Sequence, residues 1–508
     1  MEEHILTIMT FFPIVGVLAI LFLPKQHYSI RWVALVASII PLAAAIFLLI
    51  AFNRDVPGMQ FVVQTQWIRS LNAQFYLGID GLSLPLIFLT TLLSFLGIIA
   101  SWKVSDGIKG YFSLFLLLEV GLLGVFVSLD FFLFFLFLQA LLIPTYFLIG
   151  IWGGEQRVYA SIKYILFALV GSLFILIPMI AFYLYSTPHS FDLVSLGQRG
   201  LTWSYENIFA RGLSFGTVRQ LLFFSLFVGF GIIIPIFPLH SWLRWAHVEA
   251  PSPVSAILAG VLMNVGCYGL LRISFPILRI EANQFAFLIA LLGVVSILYG
   301  AFCALAQIVV PENKGGNDLK KLIAFSSISH MGFVLLGIAS LTANSIRGAV
   351  VHMFNRGLTA GMLFLLVGML FNRAGHQKID GFGGLGRKVP IFTGFVALAF
   401  LASFGLPGLN NFISEYFIFL GSFPIYRALT LLALVGGILL AVYFVWSFQK
   451  IFFGPLNEKC ANIDDLNMRE ICVLFPLAVL VIFLGLYPQP ILDLVQETVN
   501  QLIILVKV

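Results

Sequence analysis

Glu119, His330, His352, Arg356 and Glu415 interrupt long apolar runs of the sequence. An ionisable group at the centre of a lipid bilayer costs about 2.5–3.5 kcal/mol on insertion scales, so such residues are functional candidates by default. The chemistry these types support is proton transfer. Carboxylates and imidazoles exchange protons near neutrality when burial and neighbouring charges shift them. A guanidinium keeps its proton, so Arg356 reads as a fixed countercharge for Glu119, Glu415 or an acid on another chain. His352 stands four residues before Arg356 and shares its helix face. That is the spacing of a two-histidine metal site, but Arg does not ligate, and no metal site is expected. Haem ligation by His330 and His352 has no supporting motif. Each candidate also has a structural reading. Glu119 then hydrogen-bonds a neighbouring helix, and the histidines are satisfied by serine or backbone. Glu415 becomes a stabilising acid in the first turn of a half-helix.

Chemistry of other kinds lacks its residues. Cys267, Cys303, Cys460 and Cys472 stand far apart without a C-x-x-C, which leaves iron–sulfur, zinc and disulfide frameworks unsupported. Glycine-rich nucleotide loops and nucleophile elbows are not apparent. No catalytic redox site and no cofactor are expected in this chain.

The elements that must position these groups follow from composition. Of 508 residues, 60% are apolar and 10% charged, with a mean hydropathy of +1.05. Soluble domains carry about 25% charge. An outer-membrane barrel alternates polar and apolar residues with weak hydropathy. The composition therefore predicts an all-α polytopic membrane protein, because lipid forces each spanning segment to satisfy its own backbone. The sequence pI of about 9.1 fits basic loops of a membrane protein and does not call for nucleic acid. The acidic start Met1-Glu2-Glu3-His4 argues against a signal peptide, so the first apolar run is expected to be a retained helix.

About fourteen runs are long enough to span: 5–24, 32–52, 80–102, 110–129, 131–151, 162–186, 216–239, 253–275, 284–308, 319–341, 343–371, 389–424, 425–449 and 470–488. The tail 489–508 is expected at the interface, and the longest loop at 187–215. Lys and Arg concentrate after odd-numbered spans, which puts both termini outside. Two spans are interrupted, one by Pro235-Ile236-Phe237-Pro238 and one by Gly405-Leu406-Pro407-Gly408. Proline removes a ladder donor and clashes with the preceding turn, so spans 7 and 12 are each predicted as two half-helices. Paired broken helices suggest two inverted repeats of five helices. The expected division is 1–109 for helices 1–3, 110–275 for helices 4–8, 276–453 for helices 9–13, and 454–508 for the last helix and tail.

Several stretches resemble one family. They are Phe75-Tyr-Leu-Gly-Ile-Asp80-Gly-Leu-Ser83, Ile151-Trp-Gly-Gly154 with Arg157, Ile236-Phe-Pro-Leu-His240, His247-Val-Glu-Ala-Pro251, Ala324-Phe-Ser-Ser-Ile-Ser-His330-Met-Gly332, and Gly405-Leu-Pro-Gly408 followed by Asn411-Phe-Ile-Ser-Glu415. From near residue 5 to near 490, the chain resembles the antiporter-like membrane subunits of respiratory complex I, most nearly the M type. The resemblance implies a fourteen-helix fold in a multi-subunit complex, an NADH (or other donor)–quinone oxidoreductase. Flavin, iron–sulfur clusters and quinone would lie on partner subunits. It also implies proton relay by a Glu in span 5, a Lys in broken span 7, a Lys in span 8 and a Lys or Glu in broken span 12.

Carried over position by position, the pattern is altered here. The span-5 Glu is Gln139, the span-7 Lys is Ile233, and the span-8 Lys is Asn264. A span-11 His is Arg356, and a Pro-Asp before Ala-His is Arg244-Trp245. Glu415, His240 and His330 match the pattern. Gln, Ile and Asn exchange no proton near neutral pH. Glu119 falls at a depth similar to Gln139 on the adjacent span, which suggests a relocated carboxylate. Two further readings stay open. One is a non-pumping structural or anchor subunit of a related redox, hydrogenase or inorganic-carbon-uptake complex. The other is a self-sufficient cation/proton antiporter. The expected location is a bacterial inner membrane or an equivalent energy-transducing membrane.

Overall fold

The computed structural model describes residues 4–24, 26–199, 215–460 and 463–507. Most of the 187–215 loop and the first three residues of the acidic start lie outside the described residues. Helices α1 (Ile5–Phe22) and α2 (His27–Ala51) lead into a hairpin of β1 (Gln60–Ile68) and β2 (Ala73–Ile79). Then come α3 (Ser83–Ala100), α4 (Ile108–Val127), α5 (Phe131–Trp152), α6 (Arg157–Tyr185) and the short α7 (Leu193–Arg199). Next are α8 (Phe215–Ile233), α9 (Ser241–Glu249) and one long helix made of α10 (Ser252–Ile257), α11 (Met263–Gly269) and α12 (Phe275–Ile277). The second half has α13 (Arg279–Gln284), α14 (Ala286–Val309), α15 (Leu319–Ala339), α16 (Ala343–Ala374), α17 (Leu385–Lys388) and α18 (Pro390–Ser403). It closes with α19 (Asn410–Ser422), α20 (Arg427–Phe452), α21 (Met468–Leu486) and α22 (Gln489–Val506).

Among the described residues, thirteen helices are long and apolar enough to cross a membrane. With the pair α18 and α19 counted as one broken span, the crossings number fourteen, as the hydropathy runs predict. Both predicted breaks are present. In span 7 the helix stops at Ile233 and resumes only at Ser241, past Pro235 and Pro238. In span 12 it stops at Ser403 and resumes at Asn410. Gly405 and Gly408 occupy the left-handed region, at φ +73° and +92°, which glycine adopts without steric cost.

The spans fall into two kinds. The Ser252–Ile277 helix, α15 and α16 are buried almost throughout, whereas α1, α2, α6 and α20 leave much of their apolar surface exposed. A helix apolar on every face and buried on every face belongs at the centre, and one with exposed apolar faces belongs against lipid or another chain. Small residues let the central helices close in. A side chain at Gly293 would meet Gly332 O at 2.9 Å, and one at Gly300 would meet Ser329 Oγ at 2.7 Å, so α14 and α15 nearly touch backbone to backbone.

Three features were not read from the sequence. The stretch 53–79, treated as a loop, forms the β1–β2 hairpin, turning at Asn72 in the left-handed conformation. Asp130 ties the hairpin to the bundle: its carboxylate accepts from Gln74 N on β2 and from Leu133 N at the start of α5, both at 3.0 Å. The Ser252–Ile277 helix contains two wider π turns, Leu258–Leu262 and Leu270–Ser274. The tail forms α22, an amphipathic helix that buries Ile491, Leu494, Val495, Val499 and Leu502. Asn283 of α13 holds its far end by donating to Val506 O.

Candidate functional site

The most concentrated polar site is built where the α18–α19 break faces the middles of α15 and α16. His330 on α15 and His352 on α16 are fully buried, with His330 Nδ1 3.3 Å from His352 Nε2. His352 Nδ1 lies 2.8 Å from Ser414 Oγ on α19. The Ser414 hydroxyl donates to Asn411 O at 2.8 Å, so its oxygen accepts from His352 Nδ1–H. That fixes the tautomer: His352 Nε2 carries the lone pair, and His330 Nδ1–H donates to it. The result is one directional chain, from His330 through His352 and Ser414 to the backbone of Asn411. Glu415 follows next on α19, with Oε1 4.0 Å from His330 Nδ1, beyond hydrogen-bond reach.

The break itself makes room for this carboxylate. A Cβ on Gly405 would lie 2.6 Å from Glu415 Oε2. Side-chain amides clamp the half-helix to α16. Asn355 Nδ2 donates to Asn410 O at 2.7 Å, Asn410 Nδ2 donates to Asn355 O at 3.1 Å, and Asn411 Nδ2 donates to Thr359 Oγ1 at 3.3 Å. These bonds tie the first turn of α19 to the middle of α16 through side-chain donors from both helices.

Arg356 lies one turn beyond His352 and is the largest fully buried side chain. Its Nη2 donates to Ser327 Oγ at 2.9 Å, while Nε and Nη1 have no hydrogen-bond partner among the described residues. Among those residues no carboxylate lies within 4 Å of it, so it does not form the expected ion pair with Glu119 or Glu415. The guanidinium turns to the serines of α15 instead. Being fully buried, it also cannot reach an acid on another chain.

Glu119 sits in the interior of α4, fully buried, with neither oxygen hydrogen-bonded among the described residues. Gln139 is at a similar level on α5 but is not brought together with it. Gly121 packs on the backbone of Leu141 and Gly124 on the ring of Phe137, so these residues form the α4–α5 contact. Glu119 stands two residues from Gly121, and Gln139 two residues from both Phe137 and Leu141. Each is therefore turned about 200° away from the shared face. Gln139 is half-buried beside the exposed Leu136 and Ile143, on the outer surface of the subunit. A carboxylate at Glu119 thus cannot stand in for one at Gln139.

Glu119 also lies near the level of Asn264. Tyr268 Oη donates to Phe126 O at 3.1 Å, matching α4 to the Ser252–Ile277 helix. Counting back at 1.5 Å per residue puts Glu119 and Asn264 within about one turn of the same depth. Asn264 Nδ2 donates to Gly260 O at 2.8 Å, inside the first π turn, and to Met353 O of α16 at 3.0 Å. Ile233 ends α8 at the first break and is buried among apolar neighbours. His240 stands apart, with Nε2 3.0 Å from Tyr299 Oη.

His330, His352 and Glu415 bring one ligand atom each within 4.8 Å of one another, which gives a three-ligand set that the residue spacing did not suggest. Of the two histidine lone pairs that a metal would need, that of His352 accepts a hydrogen bond and that of His330, on Nε2, has no partner among the described residues, and the cationic Arg356 sits one turn beyond His352. Sequence reasoning also missed buried ion pairs. Arg272, in the second π turn, meets Asp80 at 2.6 Å, and Arg219 Nε meets Glu281 at 2.8 Å. Arg373 pairs with Glu470. Lys320 is buried and donates to Val248 O and Ala250 O, both at 2.7 Å. His247, also buried, stacks on Phe364. The one available signal was a polar type inside an apolar run.

Comparison with known proteins places this arrangement. Residues 128–441 match the family described as NADH:quinone oxidoreductase/Mrp antiporter, TM. NADH-quinone oxidoreductase subunit M of Rickettsia bellii is 37% identical, covering 99% of both chains. The subunit M of Rhodobacter capsulatus is 36% identical, covering 99% of this chain and 96% of that one. Among solved structures, a chain of respiratory complex I from Thermus thermophilus superposes with a TM-score of 0.86 at 28% identity over 99% of each chain. A chain of the Mrp complex from Dietzia sp. gives 0.82 at 19% identity, covering 99% of this chain and 97% of that one, and shows likeness of fold alone. The chain belongs to the NADH:quinone oxidoreductase/Mrp antiporter membrane family, beside its subunit M proteins.

Proposed function

We propose that this chain is an M-type membrane-arm subunit of a complex I-like NADH–quinone oxidoreductase in a bacterial inner membrane. Quinone reduction, flavin and iron–sulfur chemistry belong to partner subunits, and this chain couples that reaction to proton movement. Residues 110–275 and 276–453 act as two antiporter-like repeats, flanked by helices 1–3 and by the last helix with its tail. The observation that carries the coupling role is the directional chain His330–His352–Ser414 beside Glu415, in the second repeat. His330 can pass a proton to His352 along the hydrogen bond between them, and Ser414, whose own hydroxyl donates to the Asn411 carbonyl, orients His352. Glu415 supplies a terminal proton-accepting group at the α18–α19 break.

The first repeat supports a narrower role. Gln139, Ile233 and Asn264 cannot titrate, His240 is isolated with Tyr299, and Glu119 brings a carboxylate with no hydrogen-bond partner among the described residues to the interior of α4. Arg356 contributes a fixed positive charge between the two repeats, and a fixed cation in a pathway raises the barrier to a hopping proton. This favours a second reading, in which the subunit is a structural spacer of the membrane arm and pumps nothing.

Glu415→Gln separates the two readings. The complex is reconstituted in vesicles, and protons moved per electron are measured at equal NADH oxidation rates. The coupling role expects a lower ratio, and an equal ratio leaves the spacer role.

A further inference from the structure

A cavity of about 850 Å³ opens between the ends of α2, α3, α21 and α22, against Phe354 in the interior of α16. Its sides are apolar, formed by Ile50, Leu480 and Leu484, and its floor is the stacked ring pair Phe88 and Phe354, with centroids 6.3 Å apart. Ile50 is 81% exposed, so the cavity opens sideways onto the apolar outer surface of the subunit. Its mouth is polar and charged, with Arg54 and Asp55 after α2 and Asp493 and Glu497 on α22. None of these four makes an ion pair among the described residues. Asp493 accepts from Gln489 Nε2 at 2.6 Å and Glu497 from Asn500 Nδ2 at 3.3 Å, both neutral donors.

We propose that this cavity binds a phospholipid with an ethanolamine headgroup. Arg54 takes the phosphate, and Asp55, Asp493 and Glu497 receive the primary ammonium. The acyl chains run past Ile50, Leu480 and Leu484 onto the Phe88–Phe354 floor. Three features select this occupant. The apolar depth and charged mouth lie at one membrane face, since Arg54 follows span 2 and α22 follows span 14. Three carboxylates against one guanidinium repel an anionic headgroup. A primary ammonium offers three N–H donors to those carboxylates, whereas a quaternary choline offers none. The size also suits a specific site, which for small molecules usually encloses about 300–1,000 Å³. Phe354 stands between His352 and Arg356 in sequence, so a lipid on its ring braces the part of α16 that carries them.

The test uses the intact complex, exchanged into phosphatidylcholine nanodiscs doped with phosphatidylethanolamine or phosphatidylglycerol. Native mass spectrometry counts the lipids retained. The wild type should keep one more phosphatidylethanolamine than D493N/E497Q, with subunit composition unchanged. I50W, on the exposed wall, narrows the cavity independently and should lose the same lipid, so the question stays answerable if the double variant fails to assemble. Equal phosphatidylethanolamine counts in wild type and I50W overturn the proposal. So does preferential retention of phosphatidylglycerol, or a density map of the complex with a partner helix seated in the cavity.

Discussion

His352 is held from both sides: Ser414 Oγ lies 2.8 Å from its Nδ1, and His330 Nδ1 lies 3.3 Å from its Nε2. The first contact sets the direction of the second, because a serine that donates to Asn411 O can only accept from the imidazole. Ser414→Ala removes that acceptor and leaves a buried N–H unpaired, at a cost of about 1–3 kcal/mol. The variant is expected to lower the thermal unfolding midpoint of the subunit and the protons moved per electron together. Ser414→Thr keeps the hydroxyl and should restore both.

Glu119 is buried with no hydrogen-bond partner among the described residues, so the ionised form gains nothing from its surroundings. Glu119→Gln preserves shape and removes the exchangeable proton. The assembled complex should keep its stability and lose part of its proton-to-electron ratio in reconstituted vesicles. An unchanged ratio would remove Glu119 from the pathway.

Arg356 is a buried cation with neutral serine partners and no acid within 4 Å among the described residues. Replacing buried ionic groups by apolar ones of similar volume is often neutral or stabilising by about 1–4 kcal/mol. Arg356→Met should therefore leave the unfolding midpoint level or raised. Arg356→His places a titratable group one turn from His352 and should raise the proton-to-electron ratio. A drop in midpoint for the Met variant would reveal an anionic partner for the guanidinium.

Asp80 and Arg272 form a buried ion pair at 2.6 Å, and Asp80 Oδ1 also accepts from Leu82 N and Ser83 N, at 3.1 Å each, to cap α3. Removing one partner of such a pair costs about 3–5 kcal/mol, because the other charge stays buried. Asp80→Asn and Arg272→Met should each sharply reduce the subunit recovered in the membrane. The double variant should recover more than either single one, as quantified by immunoblot against a second subunit.

Gly405 has a φ of +73°, and a Cβ there would stand 2.6 Å from Glu415 Oε2. Gly405→Ala adds about 1–2 kcal/mol of backbone strain and displaces the carboxylate from the break. A lower unfolding midpoint with a reduced proton-to-electron ratio is expected. Gly394→Ala, inside α18 with nothing within 4 Å of the added carbon, is the control and should leave the proton-to-electron ratio unchanged and the midpoint level or raised.

The sequence alone determined the properties that depend on local chemistry. Unbroken apolar length sets the number of spans, and Pro235, Pro238, Gly405 and Gly408 interrupt the helical ladder wherever the chain goes. Long motifs such as Ala324–Gly332 and Gly405–Glu415 carried the family. The tertiary structure decided which way each buried group faces. Helices such as α15 are buried on every side, so periodicity assigns them no inner face. Equal depth therefore suggested that the carboxylate absent at Gln139 is relocated to Glu119, but helix rotation turns the two positions to different sides. The same rotation joined His330, His352 and Ser414 from three separate helices, and it turned Arg356 toward Ser327 rather than toward an acid. The hairpin at 60–79 escaped for a related reason. Its strands are held by each other and by Asp130, about fifty residues further along the chain, and a single-segment pattern does not register that pairing.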